Sequence, residues 1–132
     1  MSLAHDIAEA LKVALTGVTV YDFAVPNGTL PASYIIVRAG VVNEFPTRMA
    51  RATNKAEDVA RVIAVSRHTN PEVAASLAES LRSRFVPVLR DWRPSGSQRA
   101  LRFDLGGDAF RDTSLPDVTF VAPVQYRLTR PV

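Results

Sequence analysis

One stretch, Val59 to Phe85, dictates most of what this chain can fold into, because in it a strand runs directly into a helix. From Val59 to His68 the side chains alternate: Arg61, Ile63, Val65 and Arg67 share one face, Val62, Ala64 and Ser66 the other. Alternation with β-branched residues at its centre predicts a strand buried in its middle and polar at its ends. Asn70-Pro71-Glu72 then reads as a helix start. Asn can accept from open backbone N–H groups, Pro fits the first helical position, and Glu suits the positive end of the dipole. Val73, Leu77, Leu81 and Phe85 follow at four-residue spacing with Ala74, Ala78 and Arg84 beside them. That stripe predicts an amphipathic helix lying on its own sheet. Arg82 and Arg84 are expected to oppose the negative pole of the dipole. Pro87 lacks a backbone donor and restrains Val86, so the helix is expected to stop by Phe85–Pro87.

The length of 132 residues gives this unit one domain to belong to, large enough for a core and too small for two. With 47% hydrophobic and 22% charged residues, the chain can bury that core and still keep a hydrated surface. It contains no run of about 18 apolar residues and no charged-then-apolar leader, so neither a spanning helix nor a secretory signal is expected. Zero cysteines exclude disulfide and thiolate chemistry and fit a reducing interior. The net charge of +3 is carried almost wholly by arginine, since Lys12 and Lys55 are the only lysines. These cations are scattered among acids, so they permit contact with nucleic acid without demanding it.

Taken in order, Ser2 to Thr16 predicts a first helix, capped by Ser2, with Leu3, Ile7, Leu11 and Ala14 or Leu15 as its stripe and Gly17 as its stop. Val18 to Phe23 reads as a short strand, Val18 and Val20 on one face, Tyr21 and Phe23 on the other; Pro26-Asn27-Gly28 is a turn. Ser33 to Val42 reads as a second strand, whose continuous run Tyr34-Ile35-Ile36-Val37 predicts a central place covered on both sides. Asn43 to Lys55 loses all periodicity and holds Phe45 and Met49 among Arg48, Arg51 and Lys55. It reads either as a long mobile loop or as an arm that orders against a partner, the arm being preferred. Arg99 to Leu105 alternates, with Leu101, Phe103 and Leu105 expected inward and Arg102 and Asp104 outward. Gly106 to Asp117 reads as a second polar loop. Val118 to Thr129 closes the chain as a long strand with Val118, Phe120, Val124, Tyr126 and Leu128 on one face. Pro123 within it predicts an edge position, a bulge or a split. The fold class is α+β: one domain, a mainly antiparallel sheet of about five strands with two helices packed on it.

Catalytic constellations do not assemble from this sequence. His5 and His68 are the only histidines, and neither has a second ligand at metal spacing. Ser66 and His68 have no nucleophile elbow around them. Gly106-Gly107 lacks the spacing and following helix of a phosphate loop. Asp104, Asp108, Asp112 and Asp117 crowd one region without calcium-loop spacing and read as loop solvation. Trp92 between Arg90 and Arg93 is the one local pattern for stacking on bases, and a Trp near a strand end is more often partial core. The expectation is therefore no enzyme, no cofactor and no metal.

The order of elements, with the segment VARVIAVSRHTNPEVAASLAESLRSRF at its centre, resembles the small tail-completion proteins of long-tailed bacteriophages, the tail terminator and its neck relatives. Members carry an N-terminal helix, a Pro/Gly turn, an apolar strand like YIIVR, a polar stretch rich in Arg and Thr, and a strand-to-helix unit of this type. They close with strands like ALRFDL and PDVTFVAPVQYRLT. Pro123 and the loop LRDWRPSGSQ depart from that pattern. The resemblance implies one terminator-like domain over residues 1–132, acting as a virion structural protein. Such proteins form a ring, commonly a hexamer, at the head-proximal end of the tail tube, where they stop its polymerisation and join it to the head connector. The partners implied are further copies of the chain, the tail-tube protein and the head-completion protein, with DNA only passing through the ring and no membrane. The location implied is the tail–head junction of the virion, assembled in the host cytoplasm. Phe45, Arg48, Met49, Arg51 and Lys55 are then expected at the subunit or tail-tube interface. The alternatives are a head-side neck or minor capsid protein, a small nucleic-acid-binding module, and a small enzyme with an unrecognised site.

Overall fold

A computed structural model describes residues 3–26, 28, 30–39, 55–94 and 99–131. The elements run α1 (Leu3–Ala14), β1 (Val20–Asp22), β2 (Ser33–Ala39), β3 (Lys55–Arg67), α2 (Pro71–Leu89), β4 (Arg102–Gly106), β5 (Phe110–Arg111) and β6 (Thr119–Pro131). The six strands form one sheet in the order β1-β2-β3-β6-β4, with β5 also on β6. Only β1–β2 is a parallel pair. Among the described residues this is an α+β domain with two helices on a mostly antiparallel sheet, as the sequence predicts, with one strand more. No helix among the described residues is long and apolar enough to cross a membrane.

Both helices lie on the same face of the sheet. Ile7, Leu11, Leu81, Phe85 and Leu89 from the helices share one buried cluster with Ile35, Val37, Val62, Val124 and Tyr126 from the strands. Ala74 and Ala78 on α2, and Ala60, Ala64 and Ala122 on the strands, are fully buried. Small side chains on both facing surfaces let the helix approach the sheet closely. The opposite face carries a smaller cluster of Tyr34, Ile36 and Val65, flanked by Tyr21, Val25, Leu30, Ile63 and Val121. The run Tyr34–Val37 is buried on both sides, as a central strand requires.

The start of α2 is the one read from sequence. Asn70 is its N-cap and accepts from the Glu72 backbone N–H at 3.0 Å, and Pro71 opens the helix. His68 extends the cap, its Nδ1 accepting from the Asn70 backbone N–H at 3.0 Å. Asn70→Ala should therefore cost about 1 kcal/mol, read as a lower denaturant midpoint at unchanged slope; an unmoved midpoint would contradict this capping role.

The end of α2 differs. The helix continues past Pro87 to Leu89 rather than stopping by 85–87. Phe85 and Leu89, both fully buried, hold the last turn against the core while Pro87 sits on the exposed side. Asp91, at φ 56°, then turns the chain out of the helix. Arg82 and Arg84 are consequently not in the last turn, which carries no basic residue. Leu77 is exposed, and Ala74 and Ala78 face the sheet in place of the expected Val73 and Leu77. Ile36, Ile63 and Val65 belong to the far face, so they do not join Leu81 in one core.

Three further expectations are corrected. Phe103 and Leu105 are each 58% exposed, and Leu101 alone of that series is buried. The polar loop after Gly106 contains a strand, since Phe110 and Arg111 pair with Val121 and Phe120. Pro123 lies in an unbroken β6 between β3 on one side and β4 with β5 on the other. The break is in the partner: Gly106 stands opposite Val124 and Phe110 opposite Val121, leaving Pro123 beside the 107–109 connection. A residue without a backbone donor loses least there. The readings that fall on Ser2, on 40–42 at the end of the second strand and on 43–54 lie outside the described residues.

Candidate functional site

β4 and β5 form one edge of the sheet, and this edge carries the most exposed large apolar side chains among the described residues of the C-terminal half: Phe103, Leu105 and Phe110. A local irregularity divides them between the two faces. The register shifts by one residue between Phe103 and Leu105. Phe103 stands opposite Tyr126 on the helix face, whereas Leu105 stands opposite Gln125 on the far face. A bulge of this kind sends two side chains of an alternating series to different sides. Phe103 does point to the helix side, but α2 does not extend over it. Its ring instead packs edge-on against Tyr126, centroids 6.0 Å apart. It also covers Gly106, where a Cβ would meet the ring at 3.2 Å. On the far face Leu105 and Phe110 flank Pro123.

Between the end of α2 and β4 lies a groove of about 530 Å³, lined by Val86, Leu89, Leu101, Phe103 and Tyr126, with Arg90, Asp91 and Arg102 around it. Tyr126 is 2% exposed, and its hydroxyl has no hydrogen-bond partner among the described residues. Burial pushes the phenol up to about 12, so it stays neutral. Arg82 on α2 donates to the Gly107 carbonyl and ties the β4–β5 connection to the helix.

The far face of the same edge is polar and cross-linked. Arg61 Nε donates to Gln125 Oε1 at 3.3 Å, Gln125 Nε2 donates to Asp104 Oδ2 at 2.7 Å, and Arg127 Nε lies 3.0 Å from that same oxygen. The hydrogen bond from Arg127, then that from Gln125, holds the Asp104 carboxyl below its ordinary 3.8. A depressed carboxyl contributes stability that is fully present above its unfolded value. That contribution is lost as the pH falls through the lower folded value, so acid loosens this link only below pH 3.8.

The other residues singled out from sequence are dispersed. His5 Nδ1 lies 2.7 Å from Asp22 Oδ2 and joins α1 to β1. Ser66 is fully buried with its hydroxyl 2.9 Å from that of Ser33, and His68 serves the α2 cap, so Ser66 and His68 are held in separate bonds. Asp112 accepts from the Ser114 backbone N–H, and Asp117 lies 3.8 Å from Arg67, so the four crowded aspartates do not converge. Among the described residues no group of three or more His, Cys, Asp or Glu side chains is placed to hold a metal ion. Trp92 packs half-buried against the main core, and its carbonyl accepts from Leu101 N at 2.7 Å. Phe45, Arg48, Met49 and Arg51 lie outside the described residues. Lys55 is the first residue of β3, opposite Pro131, rather than the end of an arm.

Sequence reading missed this edge because alternation in 99–105 argues for burial. Two signals pointed to it: Gly106-Gly107 at the end of that run, and Pro123 in the partner strand, where a central ladder cannot be complete on both sides. No protein-family model matches the chain, and no curated protein matches it either.

Proposed function

We propose that the chain is a virion structural protein, a tail terminator whose copies form a ring at the head-proximal end of a phage tail tube. There the ring stops tube polymerisation and joins the tail to the head connector. The observation that carries this reading is the β4–β5 edge. An open strand edge bearing Phe103, Leu105 and Phe110 in solvent is a template for another chain, and proteins that keep such an edge use it for association. The order of elements resembling tail-completion proteins supplies the particular role. The partners are other copies, the tail-tube protein and the head-completion protein, met in the host cytoplasm during assembly and kept in the virion. DNA passes through the ring without a stable complex, in weak contact that fades with salt. The test is the solution mass of the chain together with the length of tail tubes polymerised in its presence. A ring that caps tubes at defined length is the expected result. A chain that stays monomeric at high concentration and leaves tubes to grow would overturn the reading.

A further inference from the structure

We propose that the β4 edge of one copy pairs antiparallel with the β1 edge of the next, the basic side of one molecule against the acidic side of its neighbour. The inference rests on the ring reading above and names the surfaces that close the ring.

Three independent features converge on it. First, β1 and β4 are the two ends of the strand order, and among the described residues neither has a strand on its outer side. Second, their directions match. β1 runs parallel to β2, β2 antiparallel to β3, β3 to β6 and β6 to β4, so β1 and β4 point opposite ways. Copies related by rotation about an axis along the strands therefore bring β4 and the neighbour's β1 together antiparallel, with every helix layer on the same side. Antiparallel pairing is the slightly more stable kind.

Third, the two sides carry opposite charge. Residues 82–111, which end α2 and build β4 and β5, hold seven arginines against Asp91, Asp104 and Asp108. Residues 3–26, which build α1 and β1, hold Asp6, Glu9 and Asp22 against Lys12 alone. A symmetric contact of β4 with β4 would set like charges face to face, which is repulsive. A contact between two different surfaces sets them in attraction, and such a head-to-tail contact closes into a ring when its rotation divides the circle. Apolar groups complete the match: Phe23, 45% exposed just past β1, and Phe103 beside the groove at β4.

The test is a charge exchange. One variant carries Arg90→Glu, Arg93→Glu and Arg102→Glu, the other Asp6→Arg and Glu9→Arg; Arg90, Arg93, Arg102 and Glu9 are exposed, and circular dichroism checks that both variants keep the fold. Each variant alone should associate about tenfold more weakly or worse, because its two edges now bear the same sign. Mixed in equal amounts they should assemble again, since each then offers the other an opposite edge. A parent that assembles while both variants assemble equally well overturns this contact and leaves the ring reading standing. Variants that fall apart and stay apart on mixing overturn the β4–β1 pairing. A parent that is monomeric overturns both, whatever else binds the edge.

Discussion

Phe85→Ala should cost about 3–5 kcal/mol, and Leu81→Ala about 2–5 kcal/mol, since each leaves a cavity under α2. Phe85 is fully buried between α2 and the sheet, in the turn that also carries the helix past Pro87. Losing it removes both apolar contact and the anchor of a turn that is missing a backbone bond. Leu77→Ala, one turn before Leu81 on the same nominal stripe, should change stability by no more than about 0.5 kcal/mol, because Leu77 is exposed. Denaturant midpoints at constant slope decide between them. Equal losses at Leu77 and Phe85 would mean that the helix is rotated from the orientation described.

Phe103→Glu combined with Leu105→Glu should abolish association while leaving the fold in place. Both side chains are more than half exposed, so little buried area is lost within one subunit. On the proposed contact the same positions would face a neighbour, and two carboxylates there would exchange apolar contact for desolvated charge beside an acidic edge. The expected result is a well-folded monomer with a melting curve near that of the parent. Assembly at parent strength by the doubly charged variant would remove this edge from the interface.

The parts of the fold legible in the sequence are those fixed by local chemistry. Asn70-Pro71-Glu72 starts a helix because capping is settled by three neighbouring residues, and Gly17 follows the first helix at φ 84° for an equally local reason. The long strands were legible for a similar reason: alternation survives wherever one face meets a core, as it does from Ala122 to Leu128. What was not legible depends on partners distant in the chain. A spacing of four residues advances each step by about 40° around a helix of ~3.6 residues per turn, so a stripe drawn from Val73 through Phe85 drifts. The sheet selected Ala74, Ala78, Leu81, Phe85 and Leu89 as the buried stripe, with small Ala78 sharing the core with Ala64 and Ala122. The exposed edge was hidden in the same way. Leu101, Phe103 and Leu105 alternate as a buried strand would, yet whether α2 covers them depends on where the helix lies, and the bulge that turns Leu105 away leaves no mark in the pattern.

The proposed function requires this chain to associate with itself into a closed ring. Light scattering across a wide range of concentration and salt measures that directly. A single species of constant mass, a fixed multiple of 14.4 kDa, is the expected result. Weakening of that species by salt would follow from opposite charges meeting at the contact. A mass of one subunit at every concentration, with Phe103, Leu105 and Phe110 still in water, would contradict it.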